Sequence, residues 1–320
     1  MRALLGALLS LAAFAASAQD WPTRPVTMIV PYAAGGPVDT VGRIMAQGLS
    51  EVLGQQVVIE NVGGAGGMTG ANRVAKATPD GYTFLLGGSA TLTLVPALYG
   101  KKTLYDPLAD FAHVVQFADS ARVLIARKDF PASSLKEFVA YAKDNHGKMQ
   151  YGSSGTGAGA HICALLLDQQ MGVKVTHVPY RGSGPAIQDL LPGNVAWMFE
   201  TFSTMLQHHK AGKLRILAFA HQKRAAIAPE IPTMIEAGVP GFEAYTFNLF
   251  LGPAGTPQNV VDTIDQATRK VMADPSTIKF LEDIAAVPTP DTTPQRTAKF
   301  IQDELAKWAP VIKAAGIKQE

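Results

Sequence analysis

The sequence has a single cysteine, Cys163, and no run of five residues that carry the same charge. One cysteine cannot form an intramolecular disulfide, so an exported chain would depend on its hydrophobic core for stability. The 28 basic and 26 acidic residues nearly balance, whereas proteins that bind nucleic acids normally carry a clustered basic surface. The composition therefore excludes a disulfide framework within the chain and predicts no nucleic-acid partner.

The amino terminus also lacks an apolar run long enough to span a membrane. The stretch from Ala3 to Ala16 contains no charge, but it is shorter than the ~20 residues that a membrane-spanning helix needs. It follows Arg2 and ends in Ala16-Ser17-Ala18, a small-x-small cleavage pattern. We interpret residues 1–18 as a secretory signal peptide that is cleaved after Ala18, and we expect a periplasmic protein. A membrane anchor is the less favoured alternative, because no stop-transfer pattern follows.

Familiar catalytic signatures are absent as well. G-x-S-x-G does not occur, no Gly-Lys pair is followed by Ser or Thr, and the seven histidines form no H-E-x-x-H. Residues 155–160 formally match the dinucleotide fingerprint G-x-G-x-x-G/A, which leaves a nicotinamide-dependent oxidoreductase as an alternative. The next strand pattern ends in "HVPYRG" without the acidic residue that would hold a ribose. We therefore predict no catalytic residue, no metal site and no cofactor.

What is present is an alternation of strand and helix patterns. The first set consists of strand-like runs at 26–30, 56–60 and 82–86 and helical patterns at 41–53 and 68–77. The alternation restarts between residues 135 and 200, which predicts a mostly parallel sheet built from two α/β units. The stretches 114–126 and 242–252 are long and extended, and we predict that they pair as crossovers between the two units.

Two glycine-rich segments follow predicted strands and lead into predicted helices. They are "PYAAGGPVDT" at 31–40 and "YGSSGTGAGAHI" at 151–162. Glycine lets the backbone turn tightly and approach a ligand, so unpaired N–H groups at these helix starts could face an anion. We name residues 31–36 the first glycine loop and residues 153–158 the second glycine loop. A Gly/Ser-rich turn that merely connects two elements is the alternative for each loop judged alone.

Polar residues beside the loops refine this hypothesis. Asp39 fits the N-cap of the helix after the first loop, so Asp39→Asn should have little effect. Gly36 is expected to need a positive φ or a close approach, so Gly36→Val should weaken ligand binding. In the second loop the hydroxyl groups of Ser153, Ser154 and Thr156 suit the oxygens of a carboxylate.

Several segments in the same order resemble the Bug family, the extracytoplasmic solute-binding proteins of tripartite tricarboxylate transporters. They include "WPTRPVTMIVPYAAGGPVD", "VVIENVGGAGGMTGANRVAKATPDGYTFLLG", "YGSSGTGAGAH" and "HVPYRGSGPAIQDLLPGNV". The resemblance implies an α/β protein with a type II periplasmic binding-protein fold, in which two lobes joined by crossover strands close over a small organic carboxylate. We assign residues 19–121 and 247–320 to the first lobe and residues 122–246 to the second. The expected partners are integral membrane transporter subunits, and the expected protein is a monomer without enzymatic activity.

The resemblance also implies the ligand-binding residues. They are Tyr32, Ala33, Ala34, Gly35, Gly36, Ser89, Thr91, Ser154, Gly155, Thr156, Gly157, His161, Tyr180, Arg181 and Gly182.

Some of these residues have a second interpretation. His161 fits equally well as a first-turn histidine bonded to its own loop. Arg181 could pair with a second carboxylate or be a solvated arginine in a turn. Trp197 and Glu200 stand where the family usually has leucine and aspartate, which predicts a more apolar pocket, with Trp197 as a core residue.

The sequence leaves the ligand and the biological role open. Aromatic acids, dicarboxylates and amino acids are all candidates, because backbone N–H groups recognise any carboxylate. A ligand-loaded sensor partner of a membrane kinase would use the same pocket as a transport receptor.

Overall fold

The computed structural model describes residues 21–180, 182–225, 227–284, 286–289 and 292–315. The predicted signal peptide at 1–18, its cleavage site and Arg181 lie outside the described residues. Within the described ranges, no helix combines the length and the apolar character needed to cross a lipid bilayer.

The chain alternates strands and helices over most of the described length. The strands are β1 (Val26–Val30), β2 (Val57–Asn61), β3 (Thr83–Gly88), β4 (Phe111–Arg127), β5 (Gln150–Ser153), β6 (Thr176–Pro179), β7 (Trp197–Thr201), β8 (Leu214–Phe219), β9 (Tyr245–Pro253) and β10 (Ala286–Pro288). The α-helices are α1 (Pro37–Leu53), α2 (Met68–Ala75), α3 (Val95–Tyr99), α4 (Leu135–Asp144), α5 (Gly159–Met171), α6 (Ser183–Leu190), α7 (Phe202–Lys210), α8 (Gln258–Ala273), α9 (Pro275–Asp283) and α10 (Pro294–Ala315). Two 3₁₀ turns (Ala65–Gly67, Gly100–Lys102) and a π-helical segment (Ala90–Leu94) complete the described elements.

The described strands form one mixed sheet in the order β2-β1-β3-β9-β4-β7-β5-β6, with β8 and β10 also paired to β4. β1, β2 and β3 are parallel to one another, as are β5, β6 and β7, so the sheet has two parallel halves. Antiparallel β4 and β9 join these halves. The predicted α/β class and the predicted pairing of the two long extended segments are confirmed.

Strand β4 crosses from one half of the sheet to the other. Its residues up to Ala121 pair with β9, and from Arg122 onward it pairs with β7, where Arg122 lies opposite Thr201. The change of partner therefore falls between the consecutive residues Ala121 and Arg122.

Helix α1 begins earlier than the sequence pattern suggests, and the prediction that Asp39 is its N-cap is wrong. The N-cap is Gly36, in an extended conformation, and Pro37 is the first helical residue. Proline suits this position because its fixed φ is helical and its missing N–H would have no partner there. Asp39 consequently lies within the first turn and is 2% exposed.

The C-terminal helix α10 contacts the cores of both halves. Ile301 packs in a cluster with Leu85 of the first half. Trp308 lies in a cluster with Tyr151 and Trp197 of the second half. Trp197 is completely buried, as predicted for a core residue. The assignment of 247–320 to the first lobe alone stays a prediction, since this helix touches both.

Candidate functional site

The first glycine loop leads from β1 into α1, and Gly35 lets it turn. Gly35 has a φ of +82°, a conformation that residues with side chains rarely adopt. Its N–H donates a hydrogen bond of 2.9 Å to Oδ2 of Asp39. Gly36 instead has a φ of −80°, so the positive φ expected at Gly36 occurs at Gly35. The N–H of Gly35 is used within the protein rather than left open.

Asp39 holds the first loop in place through several hydrogen bonds. Arg43 donates to both of its oxygens, at 2.9 and 3.1 Å, and Nδ2 of Asn61 donates to Oδ1 at 2.9 Å. Asn61 also donates to the carbonyl of Tyr32 at 3.1 Å. Burial alone would raise the pKa of Asp39, but hydrogen bonds from Arg43, Gly35 and Asn61 outweigh this effect and lower it. Asp39 therefore positions the loop and has little capacity left for a ligand.

Other N–H groups of the two loops remain open. In the described chain, the N–H groups of Ala33 and Ala34 donate no hydrogen bond, and neither do those of Ser154 and Thr156. Ala33, Ala34 and Thr156 are exposed, and Ser154 is half-buried. These four groups can therefore donate to an anion.

The second glycine loop leads from β5 into α5, and its first hydroxyl group is already engaged. Ser153 is completely buried. Its Oγ accepts from the N–H of Gly155 at 3.2 Å and lies 2.6 Å from Nε2 of His177. The hydroxyl of Ser153, which was expected to face a carboxylate, instead stabilises the turn of the loop. The hydroxyls of Ser154 and Thr156 remain the candidates for contact with a ligand.

A stacked histidine pair lies beneath the second loop. The rings of His161 and His177 are parallel within 6°, with centroids 3.8 Å apart. Nδ1 of His161 accepts the N–H of Gly157 at 3.0 Å. Burial lowers the pKa of each imidazole to about 4, so both are neutral near pH 7. His161 is therefore a first-turn histidine that is hydrogen-bonded to its own loop, as the second interpretation of this residue predicted.

Ser89 and Thr91 are buried next to the end of β3. Thr91 is completely buried, and its Oγ1 bonds to both the N–H and the carbonyl of Gly88, at 3.1 and 3.0 Å. The carbonyl of Thr91 accepts the hydroxyl of Tyr105, and the carbonyl of Ser89 accepts from Oγ1 of Thr93 at 2.6 Å. Thr91 therefore fixes the turn after β3, and its side chain is engaged within the protein.

Tyr180 and Gly182 flank the second loop. The N–H of Tyr180 donates to the carbonyl of Ser153 at 3.0 Å, and its hydroxyl donates to Asp189 at 2.6 Å. Gly182 has a φ of +120° and precedes α6. The backbone of this turn therefore lies beside the second loop, while the side chain of Tyr180 points to α6.

Arg122 is a residue of the site that the sequence analysis missed. Its guanidinium is half-buried and donates from Nη2 to Oγ1 of Thr246 on β9 at 2.9 Å. A Cβ added to Gly159, just after the second loop, would lie 2.3 Å from Nη2 of Arg122, so the guanidinium packs directly on this backbone. Burial raises the pKa of Tyr32 in the first loop to about 12, and the charge of Arg122 opposes this rise. Arg122 thus packs against the residue that follows the second loop, and its charge acts on Tyr32 of the first loop.

A sequence signal for this residue existed. Arg122 is the only basic residue in the run 114–126, which otherwise reads as a buried strand. A charge in such a strand needs a partner or a ligand, and this criterion would have selected Arg122.

Two grooves on the described surface lie away from the glycine loops. One, of about 280 Å³, lies between α1, α8 and α9, and the other, of about 550 Å³, lies beside α4. Neither is lined by a residue of the two loops or by Arg122. The described residues also contain no group of three acidic, histidine or cysteine side chains that could hold a metal ion. We place the candidate site at the open N–H groups of the two glycine loops rather than at either groove.

A family model described as the tripartite tricarboxylate transporter family receptor matches residues 41–317. The chain belongs to this receptor family. The match spans most of the chain and confirms the resemblance to Bug proteins that the sequence segments indicated.

Solved structures of similar proteins agree with this membership. The periplasmic binding protein BugD is 35% identical, with a TM-score of 0.84 over 94% of this chain and 100% of that one. Rpa4515 from R. palustris, solved with adipate, is 34% identical, with a TM-score of 0.86 over 93% and 99%. MatC from Rhodopseudomonas palustris, solved with bound malate, is 35% identical, with a TM-score of 0.82 over 91% and 100%. The predicted periplasmic binding-protein fold is therefore confirmed for this receptor.

Proposed function

We propose that this receptor binds a small organic carboxylate between its two glycine loops, in the periplasm, and delivers it to integral membrane subunits of a tripartite transporter. The proposal rests on donors left open in the two glycine loops, the N–H groups of Ala34 and Thr156, and on the guanidinium of Arg122, which packs against the backbone at Gly159. Adipate and malate, found with two relatives, are both carboxylates. Membership of the receptor family supports the membrane partner.

The strand pairing in the sheet supports the proposed lobes. The limit between residues 121 and 122 coincides with the point where β4 changes its partner from β9 to β7. We propose residues 19–121 with 247–320 as one lobe and residues 122–246 as the other, hinged at β4 and β9.

We propose no catalytic step for this site. The hydroxyl of Ser153 and the imidazoles of His161 and His177 are engaged in the support of the second loop. The N–H of Gly157, within the dinucleotide-like run, donates to His161, so it is not open to a pyrophosphate. Backbone N–H groups and a fixed cation bind an anion without changing it.

A thermal-shift screen of the mature protein against organic acids tests the proposal. A ligand at 100 times its dissociation constant adds about 2.7 kcal/mol of stability, and we expect at least one acid to do so. Stabilisation by NADPH and by no acid would overturn the proposal in favour of an oxidoreductase. Intact-mass measurement of protein from the periplasm tests export, with loss of residues 1–18 as the expected result.

A further inference from the structure

Arg122 has no acidic partner among the described residues, unlike most of the other described arginines. Arg215 also makes no ion pair with an acidic residue among them, but its guanidinium donates to the carbonyl of Ala132, away from the glycine loops. Six arginines pair with carboxylates at 3.0 Å or less: Arg24, Arg43, Arg73, Arg127, Arg224 and Arg269. Arg122 makes no such pair among the described residues, although it is half-buried. A partly desolvated cation without a counter-charge is unfavourable unless a ligand supplies that charge.

The guanidinium is held in a defined position. Oγ1 of Thr246 accepts from Nη2 at 2.9 Å, and the backbone at Gly159 lies against the same nitrogen. A planar guanidinium has five N–H donors and binds a carboxylate through two parallel hydrogen bonds. Thr246 occupies one donor, so about four have no hydrogen-bond partner among the described residues.

The open donors exceed what a single carboxylate can accept. One carboxylate offers about four acceptor sites. The backbone N–H groups of Ala33, Ala34, Ser154 and Thr156 alone reach this number, and they lie in the two glycine loops. The donors of Arg122 come in addition, from a strand that neither loop includes.

We infer that Arg122 binds a second acidic group, and that the ligand of this receptor is a dicarboxylate with one end on the glycine loops and the other on Arg122. This inference rests on the proposed function and adds a specificity-determining residue to it. Arginine provides both the charge and the two-pronged geometry, so the second group is a carboxylate rather than a hydroxyl or an amine.

Isothermal titration of the mature protein with matched ligands tests the inference. The probes are malate, the straight-chain diacids from succinate to adipate, and the monomethyl ester of each diacid. In the wild type we expect the best diacid to bind at least tenfold tighter than its own monoester. The ester keeps the chain length and one carboxylate, so the ratio reports the second charge.

Two variants assign this ratio to a residue. Arg122→Gln keeps a hydrogen-bond donor beside Thr246 but removes the charge, and it should bring diacid and monoester within about twofold of each other. Arg127→Gln is the matched control, since Arg127 lies on the same strand and pairs with exposed Asp129. It should keep the wild-type ratio. Circular dichroism and the melting temperature without ligand establish that each variant is folded.

The outcomes separate the two proposals. Equal affinity of the wild type for diacid and monoester would overturn the inference and leave a monocarboxylate receptor, a result that needs no variant. A tenfold preference that survives in folded Arg122→Gln would place the second contact elsewhere. If no acid of either kind binds, the proposed function itself fails.

Discussion

Gly35 and Gly36 are identical neighbours with different backbone requirements. Gly35 has a φ of +82°, whereas Gly36 is extended, with its nearest neighbouring atom, the carbonyl oxygen of Ala33, 3.6 Å from an added Cβ. We expect Gly35→Val to destabilise the protein by about 1–2 kcal/mol and to weaken acid binding. Gly36→Val, which the sequence alone marked as harmful, should change both by little. Urea unfolding and titration with adipate measure the two effects, and equal losses in both variants would contradict this assignment.

Asp39 accepts hydrogen bonds from the guanidinium of Arg43, the backbone N–H of Gly35 and the side-chain amide of Asn61. Its negative charge therefore contributes more to stability than the charge of an N-cap aspartate does. Asp39→Asn should destabilise the protein by about 2–3 kcal/mol, because an amide N–H₂ would face these donors. Asp274→Asn is the control and should change stability little. Asp274 is the N-cap of α9 and accepts the N–H of Thr277, and asparagine caps a helix equally well.

The pH dependence of the Asp39 effect has a defined sign. The pKa of Asp39 in the folded state lies below its ordinary value of 3.8. Its contribution to stability is therefore present above about pH 4 and is lost as the pH falls through the lowered pKa. Urea unfolding at pH 7 and pH 3 should show a smaller difference between wild type and Asp39→Asn in acid. A constant difference would show that the charge is not the cause.

At the residue scale, the sequence located the two glycine loops but did not predict which residues hydrogen-bond to the side chains beside them. Asp39 after a glycine loop looks like an N-cap, but Asn61, which orients it, lies 22 positions away. Thr246, the partner of Arg122, lies 124 positions away. Such contacts depend on how strands are arranged in the sheet, which local periodicity does not encode.

Among the elements, the histidine pair between β5, α5 and β6 makes the protein sensitive to acid. The folded pKa of His177 is about 4, against an ordinary 6.5, so between these values the unfolded chain binds more protons. The pair therefore makes stability fall as the pH decreases through this window. His177→Gln should reduce the loss of melting temperature between pH 7 and pH 5. His146→Gln, at an exposed position, should leave it unchanged; a reduction in both variants would point away from the pair.

Strand β4 contains a group with the opposite effect. Burial, with a smaller contribution from the charge of Glu304, raises the pKa of Asp119 to about 7, against a hydrogen bond of 2.8 Å from Gln116 that lowers it. The folded protein thus keeps a proton that the unfolded chain releases, and this contribution to stability is lost as the pH rises from about 4 to 7. Asp119→Asn keeps the acceptor for Gln116 and should be more stable than wild type at pH 8. The advantage should vanish near pH 4, and its persistence there would contradict the titration of Asp119.

The strong element patterns were predictable and the irregular ones were not. Strand β1 was predicted at its observed bounds, because a short apolar run bounded by proline is unambiguous. The helix start at Pro37 was missed because apolar spacing begins only at Val41. The π-helical segment Ala90–Leu94 and strand β8 were not predicted, since their apolar residues show neither a clear period of two nor one of 3.6.

At the scale of the whole molecule, the pairing of the two crossover strands was predictable from the sequence, whereas the contacts between the two halves were not. Two long extended segments between two α/β units leave few ways to join the units. Helix α10 contacts both cores through Ile301 and Trp308. Apolar residues at this spacing occur in any amphipathic helix, so the sequence alone does not show which cores they contact. Closure between the lobes must therefore be tested on contacts that the fold reveals.

Gly157 of the second loop and Leu98 of α3 provide such a contact, because a Cβ on Gly157 would lie 2.3 Å from Cδ2 of Leu98. If the lobes close on an acid by rotation about β4 and β9, Gly157→Ala should prevent full closure. Small-angle scattering with a saturating diacid should then give a larger radius of gyration than for the ligand-bound wild type. Leu98→Ala in the same chain should restore compaction, because it makes room for the added methyl group. The φ of +77° at Gly157 remains unfavourable for alanine in the double variant, so a restored radius identifies the steric contact and not backbone strain as the obstacle. A double variant as expanded as Gly157→Ala alone would mean that the two halves do not approach each other at this contact.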